Sequence, residues 1–267
     1  RACDMVKHFD NGDLATDRVE IRSHFKADYA AADNDELLRE ELEGLSKGGY
    51  RMILMAGDEH KAKNYAGMLT EAWGIKAYYI EESRMPMLRN QGGTNTCWAF
   101  AALSALESSM DQDSLGPYSV DHLIHNNPFG RTFEEGGSYV VTMAYLLSWK
   151  GPVFEEKDPF DGTSEGKMEA DLHVQEIRQI EPNDYEAIKR FIYLYGAVES
   201  SLYVDFDEQM VESEYYNNQQ NSYCYTGTEI SNHDVVIVGW DDHYPAENFV
   251  GEVTTDGAFL CLNSWGD

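Results

Sequence analysis

Gln91-Gly92-Gly93-Thr94-Asn95-Thr96-Cys97-Trp98-Ala99-Phe100 carries the strongest structural signal in this chain. A polar, glycine-containing loop runs into an apolar segment, with one cysteine at the junction. Apolar residues at 98–100, 102, 103, 105 and 106 suit a buried helix better than a strand. Cys97 then stands at the helix N-terminus, where unpaired backbone N–H groups and the helix dipole favour negative charge. The expectation is a thiol of lowered pKa, able to act as a nucleophilic thiolate.

A nucleophile of this kind needs a base, and one follows in Asn232-His233-Asp234-Val235-Val236-Ile237-Val238-Gly239-Trp240. His233 opens a strongly β-prone run, so a strand end would hold its imidazole rigidly. A second run, Ala258-Phe259-Leu260-Cys261-Leu262-Asn263-Ser264-Trp265-Gly266, ends another strand on an amide side chain. The amide oxygen of Asn263 can accept one ring N–H of His233, fix the tautomer and leave the other nitrogen for the sulfur. Taken singly these residues have plainer readings: a packed cysteine, a strand-end histidine, a turn asparagine and a core tryptophan. The set carries the argument.

Together these segments resemble the papain-like cysteine protease family. The Cys-Trp-Ala-Phe motif, the His-x-Val-x-x-Val-Gly-Trp strand and the Asn-Ser-Trp-Gly turn stand in the family's order. The resemblance implies a catalytic Cys97, His233 and Asn263. It makes Gln91, six residues before the cysteine, the side chain that joins the Cys97 N–H in an oxyanion hole. Tyr118-Ser119-Val120-Asp121-His122-Leu123 resembles the family's Tyr-Ser-Glu-Gln-Glu-Leu helix start. Gly136-Gly137 falls where the family has paired glycines that line the cleft and pair with substrate backbone. Trp265 is expected to shield the His–Asn hydrogen bond. The implied fold is α+β with two lobes, a helical one over residues 95–150 and a β-rich one from about residue 172. The implied reaction is peptide hydrolysis on a polypeptide substrate, with neither metal nor organic cofactor. Two other uses of the fold stand beside it: a catalytically silent binding protein, and a cell-wall amidase or transferase with the same cysteine chemistry.

Some positions depart from the family pattern. Thr94 and Glu135 occupy the places of a family disulfide, so that bridge cannot form. Asp234 stands where many relatives carry a small residue flooring the main specificity pocket. Its carboxylate either favours a polar or basic substrate side chain or turns away to pair elsewhere. The family continues with further β-strands beyond Asn-Ser-Trp-Gly, so the resemblance implies a piece of a longer protein.

Composition narrows the classes. The 267 residues are 42% hydrophobic, enough for a sizeable core, and no apolar run reaches a membrane span; residues 140–149 are too short. A formal charge of −28 argues against nucleic acid as a partner and would draw cationic peptides to the surface. Of the four cysteines, Cys261 reads as a buried thiol in a strand, while Cys3 and Cys224 are candidates for a bridge. The wording around Asn-His-Asp-Val-Val-Ile-Val-Gly-Trp-Asp-Asp resembles surface or secreted members of the family from anaerobic Gram-positive bacteria. Cell-wall or carbohydrate-binding modules would be plausible neighbours of such a protein. Asp241-Asp242-His243 reads as a solvated turn rather than an ion site.

Residues 1–80 form a different region, and residues 81–267 the protease-like one. Helices are expected over 35–45 and 59–73 and strands over 50–56 and 75–80, a β–α–β unit serving as accessory domain or pro-segment. His60 and Asp58 are its one polar cluster. Further on, 184–195 reads as a helix, 196–204 as a strand and 212–228 as a surface loop near the cleft.

Overall fold

The computed structural model describes the backbone of residues 5–7 and residues 75–266, apart from 111–115, 165 and 207–212. Contacts divide the chain into two compact units, residues 11–75 and a larger one formed by 1–10 with 76–267. The helices and strand expected within 35–73, with His60 and Asp58, lie outside the described residues.

The larger unit has the α+β composition expected. Its helices are α1 (Cys97–Ser108), α2 (Val120–Asn126), α3 (Tyr139–Leu147) and α4 (Tyr185–Tyr195). Its strands are β1 (Met5–Lys7), β2 (Ala77–Tyr79), β3 (Val198–Leu202), β4 (Tyr216–Asn217), β5 (Ser222–Cys224), β6 (His233–Asp241) and β7 (Ala258–Leu262). Helix α1 buries residues on nearly all sides, as its apolar run requires. Trp98, Phe100 and Leu103 pack with Tyr118, Leu123, Val141 and Tyr145 of the neighbouring helical segments. Full burial of each such side chain stabilises by about 1.5–3 kcal/mol. Two starts are capped locally: Ser119 Oγ accepts from His122 N at 2.9 Å, and Asp184 Oδ1 from Ala187 N at 3.0 Å.

The β-rich part is organised by β6, whose residues His233 to Trp240 are all buried. Strand β7 pairs antiparallel along 236–241, and β3 pairs antiparallel along 233–237. Strand β2 pairs with 239–241, continuing the edge that β3 occupies. The family-like Gly239 has a local reason here. A Cβ at that position would lie 2.5 Å from the carbonyl oxygen of Tyr78, so only glycine lets β2 close on β6.

Two expectations change. The strand expected over 75–80 is β2, whose partner among the described residues is β6, antiparallel in the β-rich sheet; the rest of the expected β–α–β unit lies outside the described residues. Local hydrophobicity marked the strand but not its partner. Within the segment expected to be loop, β4 and β5 form a small sheet with β1, and Ser222, Tyr223 and Cys224 are buried. The many Asn, Gln and Tyr residues there suggested solvent; the tyrosines in fact supply ring packing, Tyr215 on Tyr223 and Tyr225 among them. Cys224 is disulfide-bonded, while Cys97 and the buried Cys261 are thiols; Cys3 lies outside the described residues.

Candidate active site

The start of α1 meets the start of β6. Cys97 is the first residue of α1, and no side-chain cap occupies its N-terminal N–H groups. The N–H groups of Cys97 and Trp98 favour a thiolate, as does the N–H of Asp234, the residue after His233. The sulfur therefore faces the end of the strand that carries the histidine. Burial nevertheless dominates and pushes the thiol up to about 11, with the Asp234 carboxylate adding to the rise. This corrects the expectation of a thiol lowered by its helix terminus. The N–H groups act in the expected direction, but desolvation outweighs them.

His233 and Asn263 come together from β6 and from the turn after β7. His233 Nε2 and Asn263 Oδ1 are 2.7 Å apart, and both residues are buried. The same Oδ1 accepts from Ser264 N at 2.7 Å, which holds the amide with its oxygen toward the ring. An oxygen acceptor requires Nε2 to carry hydrogen, leaving Nδ1 as the second ring nitrogen, free of this bond. The Trp265 ring lies 4.9 Å from the His233 ring at 33°, covering this hydrogen bond. Phe206 meets Trp265 edge-on at 5.7 Å.

Gln91 is joined to the same turn. Its N–H donates to Ser264 O at 2.7 Å, and Ser264 Oγ donates to Gln91 Oε1 at 2.6 Å. The amide nitrogen donates to Thr94 O at 2.7 Å. Thr94 O can only accept, so it fixes the amide with its nitrogen on that side and its oxygen toward the Ser264 hydroxyl, and Nε2 keeps a second hydrogen to donate. Ser264 is thus a site residue that the motif contained but the sequence reading gave no role. Thr94, at the place of the family's bridging cysteine, bonds Gln91 O and Thr96 Oγ1, each at 2.6 Å.

Gly136 and Gly137 lie against the start of α1. A Cβ on Gly137 would fall 2.4 Å from the Trp98 ring, and Gly136 has φ +68° beside Asn95. The segment is stitched to the Cys97 loop by Asn95 N to Phe133 O and Asn95 Nδ2 to Glu134 O, both 2.7 Å. Asp234 is buried, and Ser201 donates a hydrogen bond to its carboxylate. Burial pushes that carboxyl up and the Ser201 bond lowers it.

Arg89, two residues before Gln91, was not legible in the sequence. Its guanidinium bonds Glu107 of α1 at 3.0 Å, Glu155 at 2.9 Å and Tyr118 O at 2.8 Å. Beside it lies a cavity of about 20 Å³, lined from α1 by Ser104 and from the β-rich part by Asp234 and Asn263, among others. No group of three or more His, Cys, Asp or Glu suited to a metal occurs among the described residues. Asp241 Oδ1 instead accepts from His243 N, and Asp242 takes Lys189, as a surface turn would. No helix among the described residues is long and apolar enough to cross a membrane.

The family model "Papain family cysteine protease" matches residues 76–267. Cathepsin J of Mus musculus is 28% identical over 196 residues, covering 70% of this chain and 55% of that protein. The chain therefore spans about half the length of the curated relatives it matches. Among solved structures, the cysteine protease and lectin-like domains of Cwp84, a surface layer associated protein of Clostridium difficile, superpose with a TM-score of 0.59. That structure is 29% identical, with 71% of this chain and 45% of the other covered. A second structure of Cwp84, after propeptide cleavage, gives a TM-score of 0.54 at 28% identity, covering 71% of this chain and 50% of the other. From residue 76 onward, the chain belongs to the papain family of cysteine proteases.

Proposed function

We propose that the chain is a cysteine peptidase that hydrolyses polypeptides through Cys97 and His233. The observation that carries this reading is the His233–Asn263 hydrogen bond at 2.7 Å, facing a cysteine at the start of α1. Because burial opposes a lone thiolate, the thiolate forms only with its charge balanced, by passing its proton to His233 Nδ1. The sulfur of this ion pair attacks the scissile carbonyl. The Cys97 N–H and the remaining Gln91 Nε2 hydrogen receive the oxyanion. The Nδ1 proton then goes to the departing amine as the C–N bond breaks, leaving a thioester on Cys97. Neutral His233 takes a proton from water as the hydroxyl adds to the thioester, and the thiolate departs with the imidazolium restored. None of these steps needs a metal or an organic cofactor.

Gly136 and Gly137, lacking side chains beside Cys97, leave room for substrate backbone. Trp265 would meet the leaving side of the substrate, and Asp234 would set the polarity of the pocket behind His233. The likeness to a surface layer associated protein supports a secreted or surface-held peptidase, with wall- or carbohydrate-binding domains as neighbours. Assay of fluorogenic peptides tests the reading. The chain should turn them over and Cys97→Ala should not, with its fold unchanged. Equal turnover by both would remove Cys97 from the chemistry; no turnover by either would favour a silent binding protein. Products cut at a sugar–peptide junction alone would favour the amidase.

A further inference from the structure

One side chain joins the helix of Cys97 to the turn of Asn263 and Trp265. Residues 85–89 lie in no helix or strand, so the segment that delivers Gln91 takes its position from contacts on either side. On one side it is zipped to the turn. Gln91 N donates to Ser264 O at 2.7 Å, Gly266 N to Arg89 O at 3.1 Å, and Asn90 Nδ2 to Trp265 O at 3.1 Å. On the other side the Arg89 side chain reaches α1. Its Nη2 donates to Glu107 Oε1 at 3.0 Å, and its Cζ lies 5.1 Å from the centre of the Phe100 ring, three residues after Cys97. Its Nη1 donates to Tyr118 O at 2.8 Å and to Glu155 Oε2 at 2.9 Å.

The acceptors of this fork are themselves fixed. Glu107 Oε1 also accepts from Tyr118 N at 2.9 Å, and Glu155 N donates to Pro117 O at 2.7 Å. The Arg89 and Glu107 side chains are only 8% and 5% exposed, so water screens their attraction little. A planar guanidinium bonded to three acceptors from different segments fixes direction as well as distance, which a single ammonium does not. The direct chain from Gln91 to Cys97 gives no comparable hold. It runs through Gly92 and Gly93, the residue type that restricts a backbone least. The Gln91 amide is oriented by Ser264 and Thr94, but the place of its backbone relative to α1 depends on Arg89, two residues away.

We propose that Arg89 is a positioning residue for the reaction: by tying the Gln91 backbone to α1, it sets the spacing between the Gln91 amide and the Cys97 N–H, the two donors to the oxyanion. This rests on the peptidase reading above. The oxyanion exists only while a carbonyl is under attack, so a misplaced donor costs acylation and leaves the sulfur as reactive as before. The His233–Asn263 bond is built on β6 and on the end of β7, which the β6–β7 ladder holds without Arg89. A residue that merely held the fold together would affect both kinds of reaction alike.

The test compares two reactions of the same sulfur: turnover of a fluorogenic peptide, and alkylation of Cys97 by iodoacetamide followed by intact mass. Alkylation displaces iodide from a saturated carbon and forms no oxyanion. Arg89→Lys keeps the charge for Glu107 and removes the fork. It should lower kcat about tenfold with KM nearly unchanged, as a displaced transition-state donor does. Its alkylation rate should stay within about twofold of wild type, because the ion pair is untouched. In a Gln91→Ala background, Arg89→Lys should lower kcat no further, since the donor it positions is gone. Unchanged kcat in Arg89→Lys, equal losses in kcat and alkylation, or a full additional loss beside Gln91→Ala would each overturn the proposal and leave the peptidase reading intact. A wild-type chain that cuts no peptide and alkylates as an ordinary thiol overturns both. Should Arg89→Lys not fold, Glu155→Gln weakens the same fork from its outer side. Lower kcat with unchanged alkylation then supports the proposal, and kcat equal to wild type overturns it.

Discussion

At the scale of single residues, the site depends on side chains whose partners fix which atom faces the substrate. Ser264 and Thr94 orient the Gln91 amide, and Asn263 orients the His233 ring. Removing the oxyanion donor by Gln91→Ala should lower kcat by about 10²–10³, the usual cost of such a donor. Ser264→Ala keeps the donor but frees the amide to rotate. A smaller loss in kcat is expected, several-fold, with KM nearly unchanged; a loss equal to that of Gln91→Ala would mean Ser264 has another role. The Cys97 thiol makes a second prediction. With burial pushing it up to about 11, His233→Ala should slow Cys97 alkylation at pH 7 at least about tenfold. Unchanged alkylation would show that the helix N–H groups suffice alone. The proposed catalytic residues could be picked out in the sequence because each sits in a short motif of its own. Ser264 was printed within a motif, yet its role appears only with its bond to Gln91, 173 residues away.

At the scale of elements, helix α1 and strands β3, β6 and β7 were readable from periodicity and apolar runs, within a few residues at their ends. What the periodicity could not show was pairing. Strand β2 looks locally like the end of an N-terminal unit, yet its ladder partner is β6. The segment 212–228 looks polar, yet part of it is held as β4 and β5. Ladder partners far apart in sequence leave no local periodic signal. Gly239 carries the β2–β6 contact, and Gly239→Ala would drive a Cβ into Tyr78 O. It should cost about 1–3 kcal/mol and increase hydrogen exchange at the β2 amides while leaving those of α3 protected. Equal protection of β2 in both proteins would contradict the close approach.

At the scale of the whole molecule, charge and buried ionisable groups shape behaviour. With a net charge of −28, association with cationic peptides should be steered electrostatically. Raising salt from about 50 to 500 mM should therefore lower kcat/KM for Lys- or Arg-rich peptides more than for neutral ones. Equal salt dependence would show that the field at the cleft is weak. Glu199 adds a pH dependence of stability. Its folded carboxyl binds a proton more tightly than an unfolded one, so its stabilising contribution is full below about pH 4.5 and lost as pH rises toward about 8. Glu199→Gln abolishes that loss, so its melting temperature relative to wild type should rise between pH 4.5 and 8. Neither Glu199 nor Arg89 was legible in the sequence. Their surroundings come from segments 18 to 66 residues distant for Arg89, and from the register of β3 on β6 for Glu199.

Activation of Cys97 as a nucleophile can be read from intact mass after exposure to an epoxysuccinyl cysteine-protease inhibitor. One adduct, mapped to Cys97, should form much faster than on a free thiol and be absent in Cys97→Ala. A folded chain that takes no adduct, or takes it equally in Cys97→Ala, would contradict it.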